Sequence, residues 1–209
     1  WEAHELKCAG TGFYEYHLGT FYLRADELQK SSATFLQGLA YDTDFRHALL
    51  LGQGKIYLFQ QDYANAASLF KSVITEFPDW YVGNHFLGLS FLGLDKYEDA
   101  IKYFTAANDI YPNAESYRHL ILAYEATGRD EAVIAALDSA YSLDPEILKD
   151  KTAVLAIVRA YANLGNFEVG KDFLALLWKE FPDIKNDQDY YDTGHYLRGK
   201  MVEAGLIEP

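Results

Sequence analysis

Few residues in this chain could do chemistry, and their spacing suits it poorly. Six histidines (His4, His17, His47, His85, His119 and His195) are potential metal ligands or bases. No two of them stand three or four residues apart, the spacing that puts two donors on one helical face, so there is no local His–His ligand pair. Each reads instead as a surface or groove imidazole. Cys8 is the one cysteine. It excludes an internal disulfide framework and a multi-cysteine metal site, and reads as a buried or incidental thiol. Gly52-Gln53-Gly54-Lys55 has the flavour of a phosphate-cradling loop, but that loop needs a longer glycine spacing and a Ser or Thr after the lysine; Ile56 follows here. The acid pairs Asp42-Thr43-Asp44 and Asp187-Gln188-Asp189 lack the Gly and the distal Glu of a calcium loop and read as helix caps. Nothing assembles a nucleophile, a base and an oxyanion donor. The expectation is a chain that is not an enzyme, with no catalytic residue, no cofactor and no metal.

The composition supports a folded, anionic protein. Eighteen Lys and Arg oppose 31 Asp and Glu among 209 residues, a formal charge of −13. Half the residues are hydrophobic and 16% aromatic, too much apolar material for a disordered chain. The longest apolar stretch, residues 86–94, is nine residues with a Ser inside, far short of a bilayer span. The charge disfavours nucleic acid, whose nonspecific affinity comes from cations on phosphates. The chain opens on Trp1 and its one methionine is Met201, so the expectation is that the natural start has been removed; the compartment is left undetermined.

The elements that carry these residues repeat. A shift of 34 superposes Gly54 on Gly88, Leu58 on Leu92, Tyr63 on Tyr97, Ala66 on Ala100, Phe70 on Phe104 and Pro78 on Pro112. A shift of 33 then carries Phe91 to Tyr124, Phe104 to Leu137 and Pro112 to Pro145; one of 37 carries Tyr124 to Tyr161, Gly128 to Gly165 and Pro145 to Pro182. Backwards, 35 carries Gly54 to Gly19, Tyr57 to Tyr22 and Phe70 to Phe35. Five units follow: about 12–46, 47–80, 81–113, 114–147 and 151–184, with an insertion at 148–150. Within a unit, Gly88, Phe91 and Leu92 share one helical face and Ala100, Phe104 and Ala107 another, separated by a polar break at 94–99. Each unit therefore reads as helix, tight turn, helix, ended by a proline that cannot continue a helix interior. Asp79 and Asn113, just after Pro78 and Pro112, are positioned to cap the next helix.

This pattern closely resembles the tetratricopeptide repeat family: the small residue at Gly19, Gly54 and Gly88, the aromatic three later at Tyr22, Tyr57 and Phe91, the small residue at Ala66 and Ala100, the Phe four later, and the terminal proline. The resemblance covers about 12–184. It implies an all-α fold, a right-handed superhelical α-solenoid of antiparallel helix pairs with a concave face, in which each unit touches only its neighbours. Ile121 and Val158 replace the small residue, which is expected to widen the local helix spacing. Residues 185–209 read as a C-terminal capping helix and tail, and residues 1–11 as the remnant of an N-terminal helix packing through Trp1 and Leu6.

In the proteins the chain resembles, the first helix of each unit lines the concave groove. The phase then assigns to it Tyr16 and Thr20, Leu51 and Lys55, His85 and Leu89, Arg118 and Leu122, and Leu155 and Arg159. This set is apolar and mildly cationic in an acidic protein, with Glu115 and Glu125 as nearby exceptions. The two-Lys, two-Asn, one-Arg carboxylate clamp of one family subtype fits no register. Eleven of 33 aromatics stand at phased core positions; among the unphased ones Tyr14, Tyr16, Phe59, Trp80, Tyr81, Phe86, Tyr117, Trp178, Tyr190 and Tyr191 favour a binding surface. The expected function is a noncatalytic scaffold that takes a peptide segment of a protein partner, with apolar and acidic residues, in its groove. The alternatives are a self-assembling homo-oligomer or assembly-factor subunit of a larger complex, and an interaction domain of a longer protein.

Overall fold

The computed structural model of the chain describes residues 10–41 and 43–208, Lys185 by its backbone alone. Trp1, His4, Leu6, Cys8 and Asp42, and with them most of the expected N-terminal remnant, lie outside the described residues. Eleven α-helices and two 3₁₀ turns make up the regular structure, with no strand among the described residues. The chain divides into two compact units, one running to Ile110 and the other beginning at Tyr111.

The first unit holds α1 (Phe13–Arg24), α2 (Leu28–Leu39), α3 (Arg46–Phe59), α4 (Tyr63–Glu76), α5 (Tyr81–Gly93) and α6 (Tyr97–Ile110). Each helix packs on the next, and α1 also reaches α3 as α3 reaches α5. The second holds α7 (Ala114–Ala126), α8 (Asp130–Leu143), α9 (Lys151–Asn163), α10 (Phe167–Glu180) and α11 (Gln188–Glu203). Here α9 is central, touching α7, α8, α10 and α11.

One turn geometry recurs between paired helices. Asp26, Gln61, Asp95, Gly128 and Gly165 all have positive φ, between 56° and 75°. The amide one residue later closes back onto the carbonyl of the phased aromatic: Glu27 on Tyr22 (2.9 Å), Asp62 on Tyr57 (2.8 Å), Lys96 on Phe91 (2.9 Å), Arg129 on Tyr124 (2.9 Å) and Asn166 on Tyr161 (2.8 Å). This is a Schellman closure, which satisfies a helix's last carbonyls and reverses the chain. At the starts of α7, α9 and α11 a side chain caps the helix: Asn113 accepts from Ser116 N–H (2.9 Å), Asp150 from Ala153 N–H (2.9 Å) and Asp187 from Tyr190 N–H (3.1 Å). Asp79 does not cap; the residue preceding α5 is Trp80, whose side chain makes no cap. Pro145 and Pro182 open the 3₁₀ turns Pro145–Lys149 and Pro182–Asn186, so the insertion at 148–150 is the end of a turn plus the Asp150 cap.

The phased residues are the core. Phe35, Phe70 and Phe104 are fully buried, each against the small residue of its partner helix. A Cβ on Gly19 would sit 2.5 Å from the Phe35 ring, and one on Gly88 2.8 Å from the Phe104 ring. Ile121 and Val158 are equally buried. Where they replace glycine, the sequence puts Leu137 and Leu174 at the phenylalanine position, so volume passes from the second helix to the first, the kind of swap cores tolerate best. Leu174 indeed packs in the cluster of Val158, Ala162 and Leu197. Leu197, on α11, is the capping helix's contribution to that cluster.

Candidate functional site

The five pairs of expected groove positions fall on α1, α3, α5, α7 and α9, and the structure treats them unequally. On α1, Tyr16 and Thr20 are half-buried. The Thr20 hydroxyl donates to the Tyr16 carbonyl of its own helix (2.8 Å). Leu51 does not line a surface. It is 7% exposed and belongs to the core cluster of Ala66, Ala67, Phe70 and Leu87. Leu155 is likewise core, 0% exposed, with Val154, Leu177 and Ile184. Both are carried inward because the buried faces of α3 and α9 are wider than the phased positions alone imply: residues 49–54 and 153–158 are buried without a break.

Lys55 is the distinctive cation of the first unit. Its ammonium lies over the face of Phe86, 4.8 Å from the ring centroid. Among the described residues it forms no ion pair with a carboxylate. Burial, and then repulsion from Arg24, hold its pKa below the usual lysine value. Arg24, at the exposed end of α1, has no ion-pair partner among the described residues either. Phe59, 66% exposed at the end of α3, stands four residues after Lys55, and half-buried Leu89 three after Phe86 on α5, each on the same helical face as its neighbour. The His85 ring packs edge-on against Phe86 (5.3 Å) and Phe104 (5.7 Å), so it braces the Phe86 platform.

Arg118 and Arg159, the expected groove cations of the second unit, are engaged internally, where the expectation had them meeting acidic groups on a ligand. Arg118 bonds Glu115 (2.6 Å) on its own helix and Asp150 (3.1 Å) before α9. Arg159 bonds Glu125 on α7 (2.6 Å), and Asp189 (3.2 Å) and Thr193 (2.7 Å) on α11. Lys151 pairs with Asp187. Leu122 is half-buried beside this ladder. Hydrogen bonding from His119 and Arg118 keeps Glu115 ionised, well below the usual carboxylate range. Burial pushes His119 down from its ordinary value, against the pull of Glu115. The sequence signal for this ladder was the acids Glu115 and Glu125 on the same helix as Arg118. Arg159 lies 34 residues from Glu125, one repeat away, a spacing that makes them neighbours on successive first helices.

Among the described residues no group of three His, Cys, Asp or Glu could hold a metal ion. Among the described residues no helix is long and apolar enough to cross a membrane.

Two tetratricopeptide repeat family models match the chain, over residues 48–79 and 87–146. The anaphase-promoting complex subunit CDC16 of Saccharomyces cerevisiae is 23% identical over 198 residues, which cover 91% of this chain but only 23% of the yeast protein's length. Among solved structures, YrrB, a TPR protein with an unusual peptide-binding site, superposes with a TM-score of 0.72 at 15% identity, covering 93% of this chain and 97% of YrrB. MamA from Desulfovibrio magneticus RS-1 gives 0.70 at 18% identity, over 85% and 97% of the two chains. At these identities the structural likeness speaks for the fold alone.

Proposed function

Because the chain belongs to the tetratricopeptide repeat family, we propose that it is a noncatalytic protein-interaction scaffold whose ligand is a peptide segment, gripped in the first unit at Lys55. The observation that carries this reading is the Lys55 ammonium, half-buried over Phe86 with no carboxylate beside it. A partly buried cation without a counter-ion is a cost to the free protein. An acidic ligand group removes that cost when it arrives. Phe59, Phe86 and Leu89 supply apolar surface on either side, so the fitting segment pairs an Asp or Glu with aromatic or aliphatic neighbours. Arg24 supplies a second cation. The internal ladder of the second unit makes Arg118 and Arg159 poor anchors, since a ligand carboxylate would have to displace Glu115 or Glu125. YrrB's peptide-binding site supports a peptide as the ligand class, and CDC16's place in a complex supports a role inside a larger assembly.

The test is selection of peptides from a random library on the intact chain, followed by titration of the enriched sequences against Lys55→Glu and Arg24→Glu variants of unchanged helicity. Acidic-apolar peptides with at least tenfold weaker binding to Lys55→Glu support the reading. Selected peptides that bind both variants as tightly as the parent chain reject it.

A second reading rests on α1. Phe13, His17 and Phe21 stand four apart on it; Phe13 is 44% and Phe21 64% exposed. Such a stripe fits a second copy of the chain. Sedimentation at two concentrations decides it, a strict monomer at the higher one excluding self-assembly.

A further inference from the structure

A second aromatic recess lies outside the Lys55 face, about 12 Å further toward the start of α3 by helical rise. It has a volume of about 390 Å³ and is lined by His47, Glu76, Phe77, Pro78, Asp79 and Trp80. Three rings form its walls. His47 lies 5.2 Å from Phe77, with planes at 56°, and 5.2 Å from Trp80, at 86°. Two carboxylates belong to the lining. Glu76 has only a loose partner, Arg46 at 3.8 Å, and both side chains of that pair are about half exposed. Asp79 is exposed and pairs with no cation among the described residues.

The recess is held in shape from behind. Asn84, 5% exposed, donates from its amide to the Pro78 and Trp80 carbonyls, both at 3.3 Å. The Phe77 amide closes on the Val73 carbonyl (2.8 Å), and Trp80 packs its inner face on the core around Leu51 and Leu87. Gly83 lets the loop approach; a Cβ there would stand 2.9 Å from Ile74 and 3.5 Å from the Trp80 ring. The loop therefore presents its rings and acids without needing to reorganise.

Aromatic faces attract cations through their quadrupole, and steeply angled rings with acids at the rim are the arrangement that recognises alkylammonium groups. A neutral apolar ligand would use the rings and leave Asp79 idle; an anion would meet two carboxylates. We propose that this recess binds an alkylammonium group, the side chain of a lysine on a polypeptide partner, with His47, Phe77 and Trp80 around the charge and Asp79 and Glu76 beside it. With Lys55 taking an acidic group, the first unit would read both signs of charge on its partner. The recess does not depend on the Lys55 assignment.

The experiment follows the indole N–H resonance of Trp80, assigned with Trp80→Phe, during titration of the ¹⁵N-labelled chain. The probes are N-acetyl-lysine methylamide, its Nζ-trimethyl derivative and the uncharged N-acetyl-norleucine methylamide. The proposal expects saturable shifts with both cations, binding at least tenfold weaker for norleucine, and a several-fold loss for the cations in Asp79→Asn. Asp79 makes no cap and is exposed, so that variant retains the fold. Equal shifts with norleucine, no shift with any probe, or cation binding untouched by Asp79→Asn would overturn it. Choline serves as a further arm: binding as tight as the lysine probes refutes a lysine-bearing partner.

Discussion

Replacing Lys55 with Met separates a binding role from a structural one, because the two demand opposite changes in stability. The Met side chain keeps a flexible apolar stem against Phe86 and removes the charge. The attraction lost is one cation–π contact at 4.8 Å, about 0.5–1 kcal/mol at a partly exposed site. The penalties lost are desolvation of the ammonium and its repulsion by Arg24, which hold the folded pKa below the ordinary 10.5. The charged form is thus disfavoured in the fold relative to the unfolded chain. Between the depressed value and 10.5 the unfolded state binds more protons, so stability rises with pH there, and the full penalty is present at neutral pH. Lys55→Met should therefore gain up to about 1 kcal/mol, reduced by solvent screening, or up to about 2–4 °C in Tm for a chain of this size. It should also lose the alkaline rise in stability. The same variant should bind an acidic peptide selected on the parent chain at least tenfold more weakly, about 1.4 kcal/mol. Thermal melts by circular dichroism at pH 7 and pH 10, with a peptide titration, measure all three. A Tm lowered by more than about 2 °C would show that the ammonium stabilises the fold. Unchanged peptide affinity would remove Lys55 from the site.

Three further outcomes follow from the packing and the turns. Gly88→Val should cost about 1–3 kcal/mol, since its Cβ would meet the Phe104 ring at 2.8 Å. Combined with Phe104→Leu it should recover at least 1 kcal/mol of the summed single costs in a denaturation cycle, and additive costs contradict the volume exchange. Gln61→Gly should stabilise by about 0.5–1 kcal/mol, because Gln61 holds φ at 58°, a region that disfavours a side chain; a loss in urea titration contradicts this. Glu115→Gln should destabilise by less than about 1 kcal/mol at pH 7, as its side chain is 58% exposed. Its carboxyl is depressed in the fold, so the contribution is present above the ordinary value of 4.5 and fades as pH falls below it. Melts at pH 7 and pH 3 should show the difference shrinking, and a constant difference argues against the His119 and Arg118 bonds.

The fold was legible because its determinants are local and periodic. Gly19, Gly54 and Gly88 face Phe35, Phe70 and Phe104 across a single turn, and the five positive-φ residues fall at one phase of the repeat. Spacing alone finds such features. The site was only half legible, for a different reason. Phase says which face a residue occupies, not how far burial spreads around that face, so Leu51 and Leu155 were placed on the surface although they are 7% and 0% exposed. Nor does phase say which charges cancel. Arg118 and Arg159 looked equivalent to Lys55 as cations on first helices, yet Asp150, Glu125 and Asp189 reach them from 30–34 residues away. Their partners sit one repeat along, on the neighbouring first helices or just ahead of them. The same stacking that builds the repeat array therefore decides which cations remain for a ligand. Lys55 remains because no acid stands within a turn of it or of its counterparts Thr20 and Leu89, whereas Glu115 stands a turn from Arg118 and Glu125 a turn from Leu122, the counterpart of Arg159. That is a sequence criterion: in such an array, a cation is a candidate anchor when no acid stands within one helical turn of it or of its counterparts one repeat before and after.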